Sequence, residues 1–161
     1  MDVAIDTAGA VAPTFPRPLV GGFPTAALTR AQLAQVMVSD CLAARAARST
    51  SRPRLVFSSN GQGIALAGQD AEFAQVMAAA DIIHADGMPV VMASRLTRTP
   101  LPERIATTDF FHDAAQAAIA SGLSFFMLGA SEQQNAAAVA AIRRDYPDQP
   151  LVLVGFSLGA A

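Results

Sequence analysis

Residues 80–89 read Ala-Asp-Ile-Ile-His-Ala-Asp-Gly-Met-Pro, a short apolar run that passes directly into a turn. Ile82 and Ile83 are β-branched and suit a buried strand. Asp86-Gly87 ends the run. Pro89 is tolerated in the first turn of a helix, so a helix is expected from there through Arg95. This is one strand-to-helix step, and its neighbours repeat it. Upstream, Leu55–Ser59 reads as a buried strand and Asn60–Gly63 as the loop after it. Helices are expected over about Gln62–Gly68 and over Ala71–Ala79, the second with Phe73, Val76 and Met77 on its apolar side. Downstream, Pro100 and Pro102 interrupt the chain. Thr108 or Asp109 is then expected to cap an alanine-rich helix to about Ser121. Leu123–Gly129 is the third strand, residues 132–145 the next helix, and Pro150–Phe156 the fourth strand.

Strands alternating with helices predict an α/β fold: a mostly parallel sheet with helices on both faces. Ligands in such sheets bind at the carboxyl ends of the strands. That rule selects three loops: Ser58–Gly63, Asp86–Pro89 and Gly129–Glu132. Ahead of this region, residues 1–18 carry Pro13, Pro16 and Pro18 without periodicity and are expected to be a poorly ordered leader. An apolar stretch, Leu19–Gly22, leads to a turn at Pro24. A helix is expected over Arg30–Ala47, with Thr29 as its cap and Leu33, Val36, Met37 and Leu42 near helical spacing. Residues 19–161 read as a single α/β domain. The chain ends a few residues past its fourth strand, so the domain is expected to be incomplete at its C-terminal side.

The composition narrows the function classes. The chain has 161 residues, enough for one domain with a sizeable core. Hydrophobic residues make up 52% and charged residues 15%, but much of the apolar content is alanine. The longest apolar stretch, near Ala117–Ala130, contains Ser121, Gly122 and Ser124 and falls short of the ~20 residues that a membrane span takes. The N-terminus lacks a basic region followed by an apolar one, so no secretory signal is expected. Net charge is −2, and no concentrated basic face points to nucleic acid. Arg45, Arg48, Arg52 and Arg54 cluster loosely and read first as a solvated helix end and loop. The single cysteine, Cys41, fits a reducing cytoplasm. It is expected to pack in the core, as free cysteines usually do.

Asp86 is the leading candidate for chemistry. A carboxylate just past a buried strand sits where α/β sites form, and partial withdrawal from water suits such a group to act as a base. Asp-Gly is equally a common turn. Ser58, Ser59 and Asn60 are suited either to orienting a sugar hydroxyl or phosphate, or to capping the next helix. His84 lies on Asp86's side of the strand and reads as a packed neighbour. Arg104 reads as a surface ion pair unless it folds over the strand ends. Asp109 reads as a helix cap. His112 and Asp113 fall in the first turns of the same helix. No His, Cys or Asp spacing suggests a metal site. The turn Gly129-Ala130-Ser131 precedes a helix and is suited to holding a phosphate on backbone N–H groups. Ser157, in Gly155-Phe156-Ser157-Leu158-Gly159, matches a hydrolase nucleophile pattern. The chain ends two residues after Gly159, so no downstream His or acid completes a triad, and this reading is set aside.

Taken in order, the Ser58–Asn60 strand end, Ala80–Leu96, Pro100–Phe111, Ser124–Ser131, the Asp145-Tyr146-Pro147 helix end and Leu151–Gly155 resemble the WecG/TagA/CpsF glycosyltransferases, also classed as glycosyltransferase family 26. The resemblance covers about Leu19 to Gly155 and lacks the family's C-terminal part. It implies a Rossmann-like fold of glycosyltransferase type E. It also implies an inverting transfer of a hexose or N-acetylhexosamine-type sugar from a UDP-sugar to a polyprenyl-diphosphate-linked sugar in bacterial surface polysaccharide synthesis, with no cofactor. Asp86 takes the place of the family's proposed general base, and Arg104 that of an arginine suited to a diphosphate. Ser58 stands where the family has threonine, with Asn60 in the asparagine's place. Gly129-Ala130-Ser131 matches the family's Gly-Gly loop near the nucleotide, with alanine replacing one glycine. Asp109 matches the aspartate of a Thr-Gly-x-Asp segment that here reads Ala106-Thr107-Thr108-Asp109. The resemblance further implies a cytoplasmic protein, peripheral on the inner face of the membrane in full-length relatives, that self-associates. The alternative it leaves open is an inactive member that binds nucleotide-sugar or serves assembly.

Overall fold

A computed structural model of the chain describes residues 14–47, 52–148 and 151–154. The leader up to position 13, Arg48 and the Ser157 motif lie outside them. The contacts cluster into two compact units. The first takes in the chain up to Thr29 and from Ala43 to Thr107; the second takes in Arg30–Leu42 and the chain from Thr108 onward.

The first unit begins with a two-residue hairpin. Strand β1 (Leu19–Val20) pairs antiparallel with β2 (Phe23–Pro24) across Gly21-Gly22. Both glycines have positive φ, 58° and 87°, the conformation that a tight type I′ hairpin turn demands. Ahead of the hairpin, the carbonyls of Pro16 and Pro18 accept hydrogen bonds from Ala27 N and Thr25 N.

Strand β3 (Val56–Ser59) passes through α2 (Gly61–Ala67) and α3 (Ala71–Ala78) to β4 (Ile82–Ala85). β3 and β4 pair parallel, Ser58 opposite His84 and Ser59 opposite Ala85. On the other edge of β4, Ala26 N donates to Ile83 O at 2.7 Å, and Thr25 bridges Ile83. β4 is therefore central, and all four of its residues are buried. One side of the hairpin packs Val20 with Ala85, Val90, Val91 and Leu101. Another cluster joins Phe23, Met77 and Ile83. Helix α4 (Met88–Ser94) follows with proline in its first turn, as Pro89 predicts.

Helix α1 (Arg30–Ala47) has the expected bounds and begins the second unit. Helix α5 (Thr107–Ile119), strand β5 (Phe125–Leu128), helix α6 (Glu132–Asp145) and strand β6 (Leu151–Val154) complete the order. β5 and β6 pair parallel. Val38, Ala118 and Leu123 form a buried cluster with Met37, Ala117 and Phe125 against it.

Three expectations change. First, among the described residues the parallel pairing forms two separate two-stranded ladders, β3-β4 and β5-β6, not one full Rossmann-like sheet. Alternating strands and helices dictate parallel pairing within each β-α-β step, but nothing in that alternation fixes hydrogen bonding between steps. Second, among the described residues helices do not cover both faces throughout. β5 alternates half-buried and exposed, with Phe126 59% and Leu128 66% exposed, and Val56 of β3 is also exposed. Third, Cys41 is exposed rather than in the core. The inward stripe of α1 runs through Leu33, Ala34, Val36 and Val38 and stops; residues 41–47 are all exposed.

Candidate functional site

The carboxyl ends of β3 and β4 lie side by side, and the chain leaves each through a polar residue: Asn60 after Ser59, Asp86 after Ala85. The ladder continues one step further, with Asp86 N donating to Ser59 O at 2.9 Å. Side chains two apart in a strand share a face. Ser58 and Asn60 on one strand therefore stand beside His84 and Asp86 on the other. Asn60 takes one of its two expected roles here. Its Oδ1 accepts from Gly63 N at 2.9 Å and caps α2, leaving its amide N–H groups for other partners. Gly87 lets this corner close. A Cβ at that position would stand 3.3 Å from Asn60 Cβ, tight for a side chain pressed on its neighbour's stem.

A second segment closes over the end of β4. Ser94 ends α4 fully buried, its Oγ donating to Val91 O and accepting from Leu101 N at 2.9 Å. This latch returns the chain to the strand end. Ile105 N then donates to Ala85 O at 2.6 Å, and Ile105 is 1% exposed. Two residues on, the Thr107 hydroxyl donates to Asp86 Oδ2 at 3.2 Å. Arg104 lies in this same segment with its side chain exposed.

A cleft of about 530 Å3 opens on this face. Its polar lining includes Ser58, Asn60, His84 and Thr107; Phe57, Leu66, Phe73 and Met77 supply an apolar wall. Thr107 and His84, the hydrogen-bond partner and the strand neighbour of Asp86, both reach it. His84 is 3% exposed. Burial pushes its imidazole below the ordinary value of 6.5; the Asp86 charge and a hydrogen bond to the Ile105 backbone pull the other way. The ring is thus largely neutral near pH 7 and supplies polarity without charge. Ser59, between the lining residues Ser58 and Asn60, is fully buried, and its Oγ has no hydrogen-bond partner among the described residues.

The remaining predicted residues belong to the second unit. Asp109 sits in the first turn of α5 and accepts an ion pair from Arg30 at 3.5 Å, next to the Arg30–Asp113 pair at 3.1 Å. It is not the cap: α5 starts at Thr107. Ser131 caps α6 in a reciprocal box with Gln134. The Ser131 N–H is engaged by Gln134 Oε1 at 3.3 Å. Gly129 and Ala130 both have positive φ, 121° and 59°, and buried Asn135 donates from Nδ2 to Gly129 O at 3.0 Å, pinning the turn. This is a turn with a structural cap already in place. His112 meets Tyr146 Oη at 2.7 Å. No three His, Cys, Asp or Glu side chains converge as metal ligands among the described residues, and no described helix is long and apolar enough to cross a membrane.

Sequence reading missed Thr107 as a neighbour of Asp86; His84 is the packed neighbour it expected, and it also lines the cleft. Period-two alternation was the signal for His84. Thr107 lies 21 residues beyond Asp86, with no local pattern linking them.

The profile of the glycosyl transferase WecG/TagA/CpsF family matches residues 19–159. The chain belongs to this family. Two relatives bear the name N-acetylglucosaminyldiphosphoundecaprenol N-acetyl-beta-D-mannosaminyltransferase. The Bacillus spizizenii protein is 33% identical over 91 residues, 56% of this chain and 35% of its own length. The Bacillus subtilis protein is 31% identical over 111 residues, 69% of this chain and 40% of its own length. The aligned part thus spans less than half of each relative. For this WecG/TagA/CpsF family member, the family match spans both Asp86 and the Gly129–Ser131 turn.

Proposed function

We propose that this chain carries the acceptor-activating end of an inverting glycosyl transfer from a UDP-sugar to a polyprenyl-diphosphate-linked sugar, in the making of a bacterial surface polymer. The single observation that carries the reading is the placement of Asp86. Its carboxylate stands at the carboxyl end of the central strand, and its immediate neighbours His84 and Thr107 line a cleft large enough for a sugar.

Asp86 takes the proton of an acceptor hydroxyl as that oxygen bonds to the anomeric carbon of the donor. The bond from that carbon to the diphosphate oxygen breaks, its electron pair leaves with UDP, and attack from the opposite face inverts the centre. Ser58 and the free amide of Asn60 position sugar hydroxyls in the cleft. Arg104 is assigned to the diphosphate, whose developing charge a guanidinium stabilises. In the second unit, Asp109 is assigned to substrate and Gly129-Ala130-Ser131 to the nucleotide. Family resemblance supports both. The N-acetylhexosamine class of donor and acceptor is carried over from the names of the two Bacillus relatives. Such an acceptor is anchored in a bilayer, so the protein works at the inner membrane surface.

The test is UDP release from a UDP-N-acetylhexosamine in the presence of a polyprenyl-diphospho-N-acetylglucosamine. Asp86→Asn is expected to lower turnover by about 10²- to 10⁴-fold, the usual contribution of a general base. Undiminished turnover in that variant removes the assignment. Saturable UDP-sugar binding with no turnover in the wild-type chain moves it to the binding-module alternative.

A further inference from the structure

On the cleft face, the Thr107 hydroxyl donates directly to the proposed base, Asp86 Oδ2, at 3.2 Å. Thr107 is the first residue of α5, and its position is set by the segment before it. Ile105 is tied to the end of β4 through its N–H to Ala85 O at 2.6 Å and through its backbone contact with the buried His84 ring. Ile105 and Ala106 are both buried. Two ties within two residues of Thr107 leave its Cα little freedom. Its hydroxyl therefore meets Asp86 Oδ2 from a fixed direction while also lining the cleft.

We propose that Thr107 is a positioning residue, holding one oxygen of the Asp86 carboxylate so that the other is presented to the acceptor hydroxyl; this rests on the reading of Asp86 as the base. An unheld aspartate swings about its side-chain bonds, and a base must sit within hydrogen-bond reach of the proton it takes. A donor fixed on the neighbouring segment removes that freedom before substrate arrives. The contact at 3.2 Å is longer than the usual 2.7–2.8 Å of a hydroxyl donor, so its effect is modest in size.

The experiment compares Thr107→Val, which keeps the shape and removes the donor, with Thr107→Ser, which keeps the donor. In steady-state transfer, Thr107→Val is expected to lower kcat about three- to tenfold, the range for one hydrogen bond, with KM for the UDP-sugar within twofold. Thr107→Ser restores most of kcat. A second readout needs no turnover: the carboxyl carbon-13 resonance of Asp86, assigned by its loss in Asp86→Asn, moves in Thr107→Val and returns in Thr107→Ser. The two assignments fail separately. Turnover surviving Asp86→Asn overturns the base and the catalytic part of this inference. Full kcat in Thr107→Val, or a serine variant as impaired as the valine one, overturns Thr107, as does an unmoved carboxyl resonance.

Discussion

Side chains at single positions explain why the corner around Asp86 has its shape. Gly21 is the sharpest case. It turns the β1-β2 hairpin at φ 58°, and a Cβ there would sit 2.8 Å from Ile64 Cγ1 and closer still to Cδ1. Ile64 packs against two apolar clusters of the first unit. Gly21→Ala therefore combines left-handed strain with a clash, and a loss of about 2–3 kcal/mol is expected. Gly22 has φ 87°, and a Cβ added there would meet nothing within 4 Å, so Gly22→Ala carries strain alone and costs about 1–2 kcal/mol. Urea unfolding of the two variants measures the difference; equal midpoints would show that Ile64 yields freely. At this scale, sequence placed Asp86 at the end of a buried strand and His84 on the same side of it, because alternation is local. The pairing of Asp86 with Thr107 was hidden, because it depends on how the residues between them fold back.

Elements were legible where periodicity was strong. Helix α1 keeps its expected bounds, and the βα step at Ile82–Pro89 folds as its residues suggest. The hairpin at Leu19–Pro24 was not anticipated, although paired glycines between short apolar residues are its signal; strands of two residues are too short for alternation to register. Val76 was expected on the apolar side of α3 and is exposed, whereas Met77 is buried, since helical spacing fixes a stripe only to within one neighbour. The latch at the end of α4 shows how one element sets the next. Leu101 N–H is buried and has Ser94 Oγ as its acceptor. Ser94→Ala removes that acceptor without opening much space. An unsatisfied buried donor costs about 1–3 kcal/mol, so a loss in this range is expected by urea denaturation. The return of the chain toward Ile105 and Thr107 follows Leu101, so the variant should also lower transfer activity. A variant as stable as wild type would mean that water or another group satisfies Leu101 N–H.

For the molecule as a whole, alternation of strands and helices correctly indicated a mixed α/β structure with parallel pairing, but it overstated the sheet among the described residues. Pairing within β3-α2-α3-β4 and within β5-α6-β6 is encoded in each step, and among the described residues no ladder joins the two steps. Burial of a titratable group acts on the whole folding equilibrium, and His84 makes this testable. Desolvation lowers its folded pKa below the ordinary 6.5, with Asp86 and the Ile105 backbone opposing. The unfolded chain therefore takes up a proton near pH 6.5 that the folded chain refuses until lower pH. Stability is then level above about pH 7 and falls as pH drops through 6.5 toward the folded value. Asp81 acts in a lower window. Leu55 N–H chiefly, with Arg52, holds its carboxyl below the ordinary 3.8 against the effect of burial. Its contribution is present above that range and lost only as pH falls through its folded value. The range from about pH 7.5 to 5 thus isolates the histidine contribution. The urea midpoint of the wild-type chain is expected to fall across that range, and His84→Gln is expected to flatten most of the slope. The chain has two histidines, so His112→Gln is measured beside it to assign the slope to one ring. If His84→Gln keeps the wild-type slope while His112→Gln loses it, the neutral, buried ring beside Asp86 is the wrong description of the site.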